Sequence, residues 1–340
     1  MAGVGGGMRL LWKWKSAFPT VNPMHERLTA SGPQTARVWA CRTAGVLLII
    51  LLGLATGVMA RDEPATWLQA IAETPFDEPL QVVSEQRHDA VEGTAYARVP
   101  FPFPELKSVL SEPAAWCEIV FLHQNVKACV HQPVDGADAA LRLYVGRRHY
   151  HPPAEANAVD LQMRLQVDSE QRLEVVLEGD RGPYGTRDYR LVLEAVPHGA
   201  DQSLLRLRYA LSFGVRARLA MRVYFATAGR DKVGFTVMSH DEAGEPVYVD
   251  GARGMFERNV MRFYLALQTH LETRALPEAE RLPASLERWF ELTDRYAHQL
   301  RELERDTYIE QKQQEYTHQR ELQEAEPSPA PFPEVWPGGG

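Results

Sequence analysis

The sequence predicts an α+β domain: a run of antiparallel strands followed by a long C-terminal helix, with a second long helix appended. Three observations predict it. Between Asn125 and Phe213 apolar and polar residues alternate at period two in one segment after another, the pattern of antiparallel strands with one face wet. In the stretch 254–274, Phe256, Val260, Phe263, Leu267 and Leu271 recur at three-four spacing, which gives one apolar helix face. After Pro277 and Pro283 the spacing returns in Leu286, Trp289, Thr293, Tyr296, Leu300 and Leu303.

The elements follow in order. PATWLQAIAET (64–74) has a leading proline and helix formers, which predicts a short helix. LQVVSEQRHD and VEGTAYARVP predict two strands with a turn near Asp89. Pro104 opens a helix carrying Leu106, Val109 and Leu110 on one face; Ser111-Glu112-Pro113 ends it and starts a second through Trp116 and Ile119. NVKACVHQ and DAALRLYVGRRHYH come next as strands. VDLQMRLQVD alternates cleanly, with Val159, Leu161, Met163, Leu165 and Val167 on one side. RLEVVLEGD, RDYRLVLEAV and SLLRLRYALSF continue the pattern, the first two joined by a glycine loop. VRARLAMRVYFATAG breaks it and predicts a helix over 215–227, with Gly229 as its cap. KVGFTVMSHD and PVYVD read as strands with a turn at Gly244. In the long helix, Met261 and Leu265 form a second stripe, so the helix is covered on two sides, and the appended helix is expected on that outer stripe. Beyond Glu310, QKQQEYTHQRELQE reads as a solvated helical end and 325–340 as a disordered, proline-rich tail.

The N-terminal sixty residues have a different texture. Six basic residues and one acid precede an uncharged run from Thr43 to Ala60, densest at Val46 to Leu52, ending Val58-Met59-Ala60. Positive, apolar, then small residues is the layout of a secretory signal, and the run is also long enough to act as a membrane anchor. Residues 1–60 are therefore read as signal peptide or signal anchor. The remaining divisions are a helix and linker at 61–79, a main domain at 80–276, the appended helix at 277–324 and the tail. The expected location is the periplasm, either free or tethered to the inner membrane through 43–60. Without residues 1–60 the formal net charge goes from −8 to −13. An exported acidic chain is a poor partner for nucleic acid.

Export gives meaning to the cysteines. Cys41 precedes the export segment, which leaves Cys117 and Cys129 as an even pair in an oxidising compartment. A Cys117–Cys129 disulfide is expected. The competing reading is zinc, with His123 and His131 as further ligands, but their spacing fits no standard site. His149 and His151 in RRHYH, facing one way on a strand, are a second metal candidate together with His123 or His131, against the reading of solvated histidines at a sheet edge. No metal and no cofactor is predicted. The chain lacks His-Glu-x-x-His, a phosphate loop, Gly-x-Ser-x-Gly and Cys-x-x-Cys.

GTAYARVPFPFPELKSVLSEPAAWCEIV (93–120) and GARGMFERNVMRFYLALQTHL (251–271) sit in an order of elements that resembles the START-like (SRPBCC, helix-grip) superfamily, over about Leu80 to Arg274. That superfamily includes lipid-transfer domains, polyketide cyclases and aromatases, and pollen allergen relatives. The resemblance is to an exported bacterial branch. It implies a curved sheet wrapped around the long helix with an apolar cavity between them. The helix near 215–227 and the appended helix depart from the pattern. The first is a candidate cover for the cavity mouth, the second a clasp or partner surface.

Candidate site residues come from two places. The loop GDRGPYGTRDYR (179–190) carries Tyr184, Arg187, Asp188 and Tyr189, and reads either as a cavity-mouth loop gripping a head group or as a hairpin turn with an Arg–Asp pair. On the long helix, Asn259 and His270 flank the inner apolar stripe on one side and Tyr264 on the other. Such polar groups touch a ligand's polar end or bond to strand backbone. Glu257, Arg258 and Arg262 are expected away from the centre, paired along the helix or with the appended one. The leading expectation is an exported module that binds a hydrophobic small molecule or lipid. The alternatives are a cyclase-like or hydrolytic enzyme using His270 or Asp188 as acid or base, and a scaffold that docks a protein partner through its C-terminal helix.

Overall fold

The structure is a computed structural model and describes residues 64–133 and 138–325. Helix α1 (Pro64–Ala72) precedes strands β1 (Leu80–Gln86) and β2 (Ala90–Val99) and helices α2 (Phe103–Leu110) and α3 (Pro113–Phe121). Strands β3 (Val126–Pro133), β4 (Ala139–Val145), β5 (Asn157–Asp168), β6 (Leu173–Arg181), β7 (Thr186–Pro197) and β8 (Ser203–Phe213) follow. After them come α4 (Val215–Ala226), β9 (Val237–His240), β10 (Pro246–Tyr248) and α5 (Gly251–Thr273). The chain then continues through α6 (Glu278–Asp294), α7 (Ala297–Leu300) and α8 (Arg305–Ala325).

Strands β1 to β8 form one antiparallel sheet in the order β1-β2-β8-β7-β6-β5-β4-β3, while β9 and β10 pair separately. Helix α5 packs on β1, β2 and β8. This is the α+β helix-grip arrangement, with the sheet open and β1 and β3 at its edges. Two sequence features bring α5 close to the sheet. A Cβ at Gly93 would stand 2.9 Å from the Phe256 carbonyl oxygen, so glycine is what lets the helix backbone approach β2. The buried Glu257 carboxylate accepts hydrogen bonds from Ser84 Oγ (2.6 Å), the Phe235 amide (2.6 Å), and the Thr236 amide (2.9 Å) and hydroxyl (2.7 Å). One side chain thus ties β1, the segment before β9 and α5 together. The core between sheet and helix is aliphatic, with Leu173, Val175, Leu193, Leu205, Val260 and Leu267 all buried. Removing each such side chain from water contributes about 1.5–3 kcal/mol.

The period-two strands, the two proline-opened helices and the long helix lie where the sequence places them. Cys117 on α3 is joined to Cys129 on β3, with Cα atoms 5.1 Å apart. Helix α6 packs on α5, as the outer stripe of that helix implies. Trp289 is buried, donates to the Arg262 carbonyl oxygen at 3.4 Å and stacks on Tyr308 with ring centres 4.8 Å apart. The Leu286–Leu303 stripe is therefore occupied by intramolecular packing. Among the described residues no helix is long and apolar enough to cross a membrane.

Four expectations are corrected. Strand β4 ends at Val145, so RRHYH is a loop: His149 is exposed, and His151 Nε2 accepts the Arg147 amide at 3.2 Å. The appended helix is broken into α6, α7 and α8, because the chain turns between Arg295 and Tyr296 and again at Arg301–Glu304. Its polar end is solvated on one side only, through residues such as Gln313, Gln314 and Glu321. Lys312, Glu315 and Gln319 are buried, and α8 lies along the edge strand β3. The outer face of the sheet is also not wet throughout. Helix α1 covers part of it with Trp67 and Ile71 against Val196 and Leu204, and Leu322 of α8 covers Ala128, Val130 and Tyr144. The run expected to act as a signal or anchor, Cys41 and the tail beyond Ala325 lie outside the described residues.

Helix α8 meets β3 through side chains rather than a ninth strand. Gln319 accepts the Cys129 amide proton at 2.7 Å, and Gln323 both accepts from the His131 amide and donates to its carbonyl at 3.0 Å. Lys312 Nζ donates to the Val126 carbonyl at 2.7 Å. Glu315 receives Lys127 and Lys312, each at 2.7 Å, inside the protein. Covering an edge in this way removes a template for pairing with other chains.

Candidate functional site

A cavity of about 290 Å³ lies between the sheet and α5. Its sheet wall is Leu143, Val159, Leu161, Leu177 and Leu191, inward positions of β4, β5, β6 and β7, and Val120 of α3 closes one side. The helix contributes Met255, Arg258, Asn259, Arg262 and Phe263. These five recur at three-four spacing, so they share one face of α5. Tyr209 of β8 stacks on Phe256 at 5.1 Å and meets Phe263 edge-on at 5.4 Å, which fixes the ring beside the cavity.

The mouth is shaped by an irregularity in β7. One extra residue stands between Arg187 and Arg190 relative to β8, and Asp188 has φ +54°. Such a bulge re-aims the next side chain. Tyr189 consequently lines the cavity, its hydroxyl 2.6 Å from Thr186 Oγ1. A Cβ at Gly182 would overlap the Tyr189 ring, so that position has room only for glycine. Tyr224 of α4 also lines the cavity, so this helix reaches the site. Its outward stripe of Val215, Leu219 and Val223 is exposed.

One end of the cavity is polar and charged. Arg262 Nη2 donates to Glu302 at 2.9 Å and to the Leu300 carbonyl at 3.0 Å. Lys232 meets the same carboxylate at 2.9 Å. Arg258 Nη1 donates to the Val233 carbonyl at 3.0 Å. Burial alone would raise the Glu302 carboxyl, but Arg262, Lys232 and Arg258 outweigh it and hold it at about 2. Burial first, then the neighbouring Arg262, lower Arg258 to about 10. His123, buried between α3 and β3, accepts the Asn125 amide at 3.2 Å on Nδ1. Burial and then Arg262 push its ring down to about 3, so it is neutral near physiological pH.

The residues singled out from sequence divide. Tyr189 and Asn259 both line the cavity. Tyr184 belongs to the 3-10 turn Pro183–Gly185 beside its mouth. Arg187 is half-exposed and pairs with Asp89 (3.3 Å) and Asp188 (3.2 Å), the geometry of the hairpin-turn reading. Tyr264 is buried among core residues, and His270 stands 3.3 Å from Glu118; neither is among the lining residues. Arg258 and Arg262, expected away from the centre, face the cavity, although Arg262 does pair with the appended segment. His123, Lys232 and Glu302 are cavity residues that sequence reasoning does not assign to it. Spacing puts Arg258, Asn259 and Arg262 on one helix face but does not show that the face looks into a cavity; Lys232 and Glu302 lie in connections whose course no local pattern fixes. Among the described residues no group of three or more His, Cys, Asp or Glu is placed to hold a metal ion.

No family model matches the sequence, and no curated protein matches it. Solved structures do. The chain is similar to the crystal structure of TTHA0849 from Thermus thermophilus, at 10% identity over 54% of this chain and 99% of that one, with a TM-score of 0.37. It is also similar to a START superfamily protein from Mycobacterium smegmatis, at 16% identity over 41% and 92%, TM-score 0.28. A third is norcoclaurine synthase from Thalictrum flavum, at 14% identity over 43% and 78%, TM-score 0.29. The α+β arrangement rests on the strand order and on the packing of α5 against β1, β2 and β8. Likeness at this level says nothing about ligand or activity.

Proposed function

We propose that this chain is an exported START-like module that binds a hydrophobic small molecule or single-chain lipid in the cavity between sheet and α5. The observation that carries the reading is the cavity itself. Its walls are largely aliphatic and aromatic, Arg258, Arg262, Lys232 and Glu302 gather at one end, and its volume of about 290 Å³ is near the lower end of ligand pockets, roughly 300–1,000 Å³. That is room for one chain or ring system. In this reading Tyr189 and Asn259 contact the ligand, and the segment from Lys232 to α8 completes the wall through Lys232 and Glu302. The acid–base candidates of a cyclase-like or hydrolytic enzyme, His270 and Asp188, stand outside the cavity, which favours the binding module.

Export is part of the proposal. Its support is the positive, apolar and small-residue order of residues 1–60 together with a paired Cys117 and Cys129, a bond that persists in oxidising compartments. N-terminal sequencing of the mature chain tests it: a start at Arg61 is expected, and an intact N-terminus in a cytoplasmic fraction would sink it.

Binding is tested with the uncharged fluorescent probe N-phenylnaphthylamine. The wild-type chain is expected to bind it saturably. Leu177→Trp fills the cavity from β6, at a cost of about 1–3 kcal/mol in stability, and is expected to abolish binding while the circular dichroism spectrum is retained. No binding by the wild type, or equal binding by the filled variant, would overturn the reading.

A further inference from the structure

Arg258, Arg262 and Lys232 line the polar end of the cavity together with Glu302, which Arg148, not itself a lining residue, also approaches at 4.0 Å. Arg258 and Arg262 are each only 3% exposed, yet the Nε of both is buried without a hydrogen-bond partner among the described residues. Glu302 is already committed to Arg262 and Lys232, at 2.9 Å each. Among the described residues Arg258 is held through Nη1 alone, by the Val233 carbonyl. Of the other polar lining residues, Asn125 and Asn259 carry no charge, Arg190 pairs with Glu178, and His123 adds no charge because its ring is neutral. Arg262 has Glu302 as its anion, whereas Arg258 has no carboxylate within ion-pair distance among the described residues; burying a guanidinium without one is costly, and guanidinium forks match planar carboxylates in particular. A fully apolar or neutral ligand would leave this imbalance in place and desolvate it further.

We propose that the ligand is an amphipathic carboxylic acid whose head group lies against Arg258 and Arg262 and whose apolar part fills the space under Leu177, Leu191 and Phe263. This deepens the binding reading above and rests on it. The volume of the cavity limits the apolar part to a single chain or a small ring system. Glu302 then plays a second part: it neutralises Arg262 and Lys232 when the cavity is empty and competes with the ligand for them when it is filled.

The test compares decanoic acid with decanol on the full chain near neutral pH, each displacing N-phenylnaphthylamine. The acid is expected to bind at least tenfold more tightly than the alcohol. In Arg258→Gln the acid is expected to lose most of that preference while the alcohol keeps its affinity. In Glu302→Gln the acid is expected to tighten several-fold. Equal affinities, or tighter binding of the alcohol, would overturn the anionic head group and leave the hydrophobic cavity standing. Failure of both compounds, with failure of the probe itself, would overturn the binding reading as well. The comparison on the wild-type chain decides the matter even if Arg258→Gln does not fold.

Discussion

Arg262 on α5 donates to Glu302, in the connection between α7 and α8, at 2.9 Å. The contact joins the gripping helix to the appended segment at the charged end of the cavity. The appended helices are therefore part of the domain that builds the site, and changes in them are expected to be felt in it.

The buried groups at that end make stability depend on pH. In the fold, His123 is held at about 3 against an ordinary value of 6.5. As pH falls below 6.5 the unfolded chain takes up a proton that the folded chain does not, so stability falls, by at most about 1.4 kcal/mol per pH unit. Glu302, held at about 2, stabilises the fold above the ordinary carboxylate range, and that contribution is lost as pH falls through it toward 2. Urea unfolding from neutral pH downward is expected to show the His123 loss first. His123→Gln should flatten the upper part of the profile and leave the lower part. A profile unchanged by the substitution would mean that His123 titrates normally.

The capped edge gives a second prediction. Gln319→Leu removes the acceptor for the Cys129 amide and leaves that N–H buried and unpaired, which costs about 1–3 kcal/mol. The expected readout is a lower urea midpoint with an unchanged slope. Truncation before Arg305 uncovers the whole of β3 and is expected to give concentration-dependent association, visible in sedimentation velocity. A truncated chain that stays monomeric and equally stable would show that α8 is an ornament on the sheet.

The disulfide gives a third. Cys117 and Cys129 are twelve positions apart, and closing a loop of that size contributes about 3 kcal/mol in the chain-entropy account. Cys117→Ala with Cys129→Ala should lower stability by that order, and the intact mass of the wild type should rise by two hydrogens on reduction. Labelling of free thiols at these positions in the unreduced protein would remove the bond from the account.

Much of the fold is legible in the sequence because its signals are local. Val159 to Val167 alternate without a break, Pro104 and Pro113 stand at helix starts, and Phe256 to Leu271 mark one helix face. What the sequence hides depends on distant partners. Gln319, Gln323 and Lys312 look like solvent-facing residues by composition; they are backbone partners for an edge strand nearly two hundred residues upstream. Arg258 and Arg262 look like surface ion-pair residues on any helical wheel, because the wheel does not show that their face looks into a cavity. Tyr189 enters the cavity through the bulge at Asp188, and Lys232 and Glu302 arrive through connections. His270, by contrast, lies on the same helix as Asn259 but far enough along it to meet Glu118 instead.

The central claim is that the cavity holds an amphipathic molecule. Native mass spectrometry of the protein purified from its own source, followed by solvent extraction, tests it most directly. The account predicts one bound molecule per chain, released by the solvent and carrying a carboxylate on an apolar body. An empty chain that also fails to take up N-phenylnaphthylamine would contradict it.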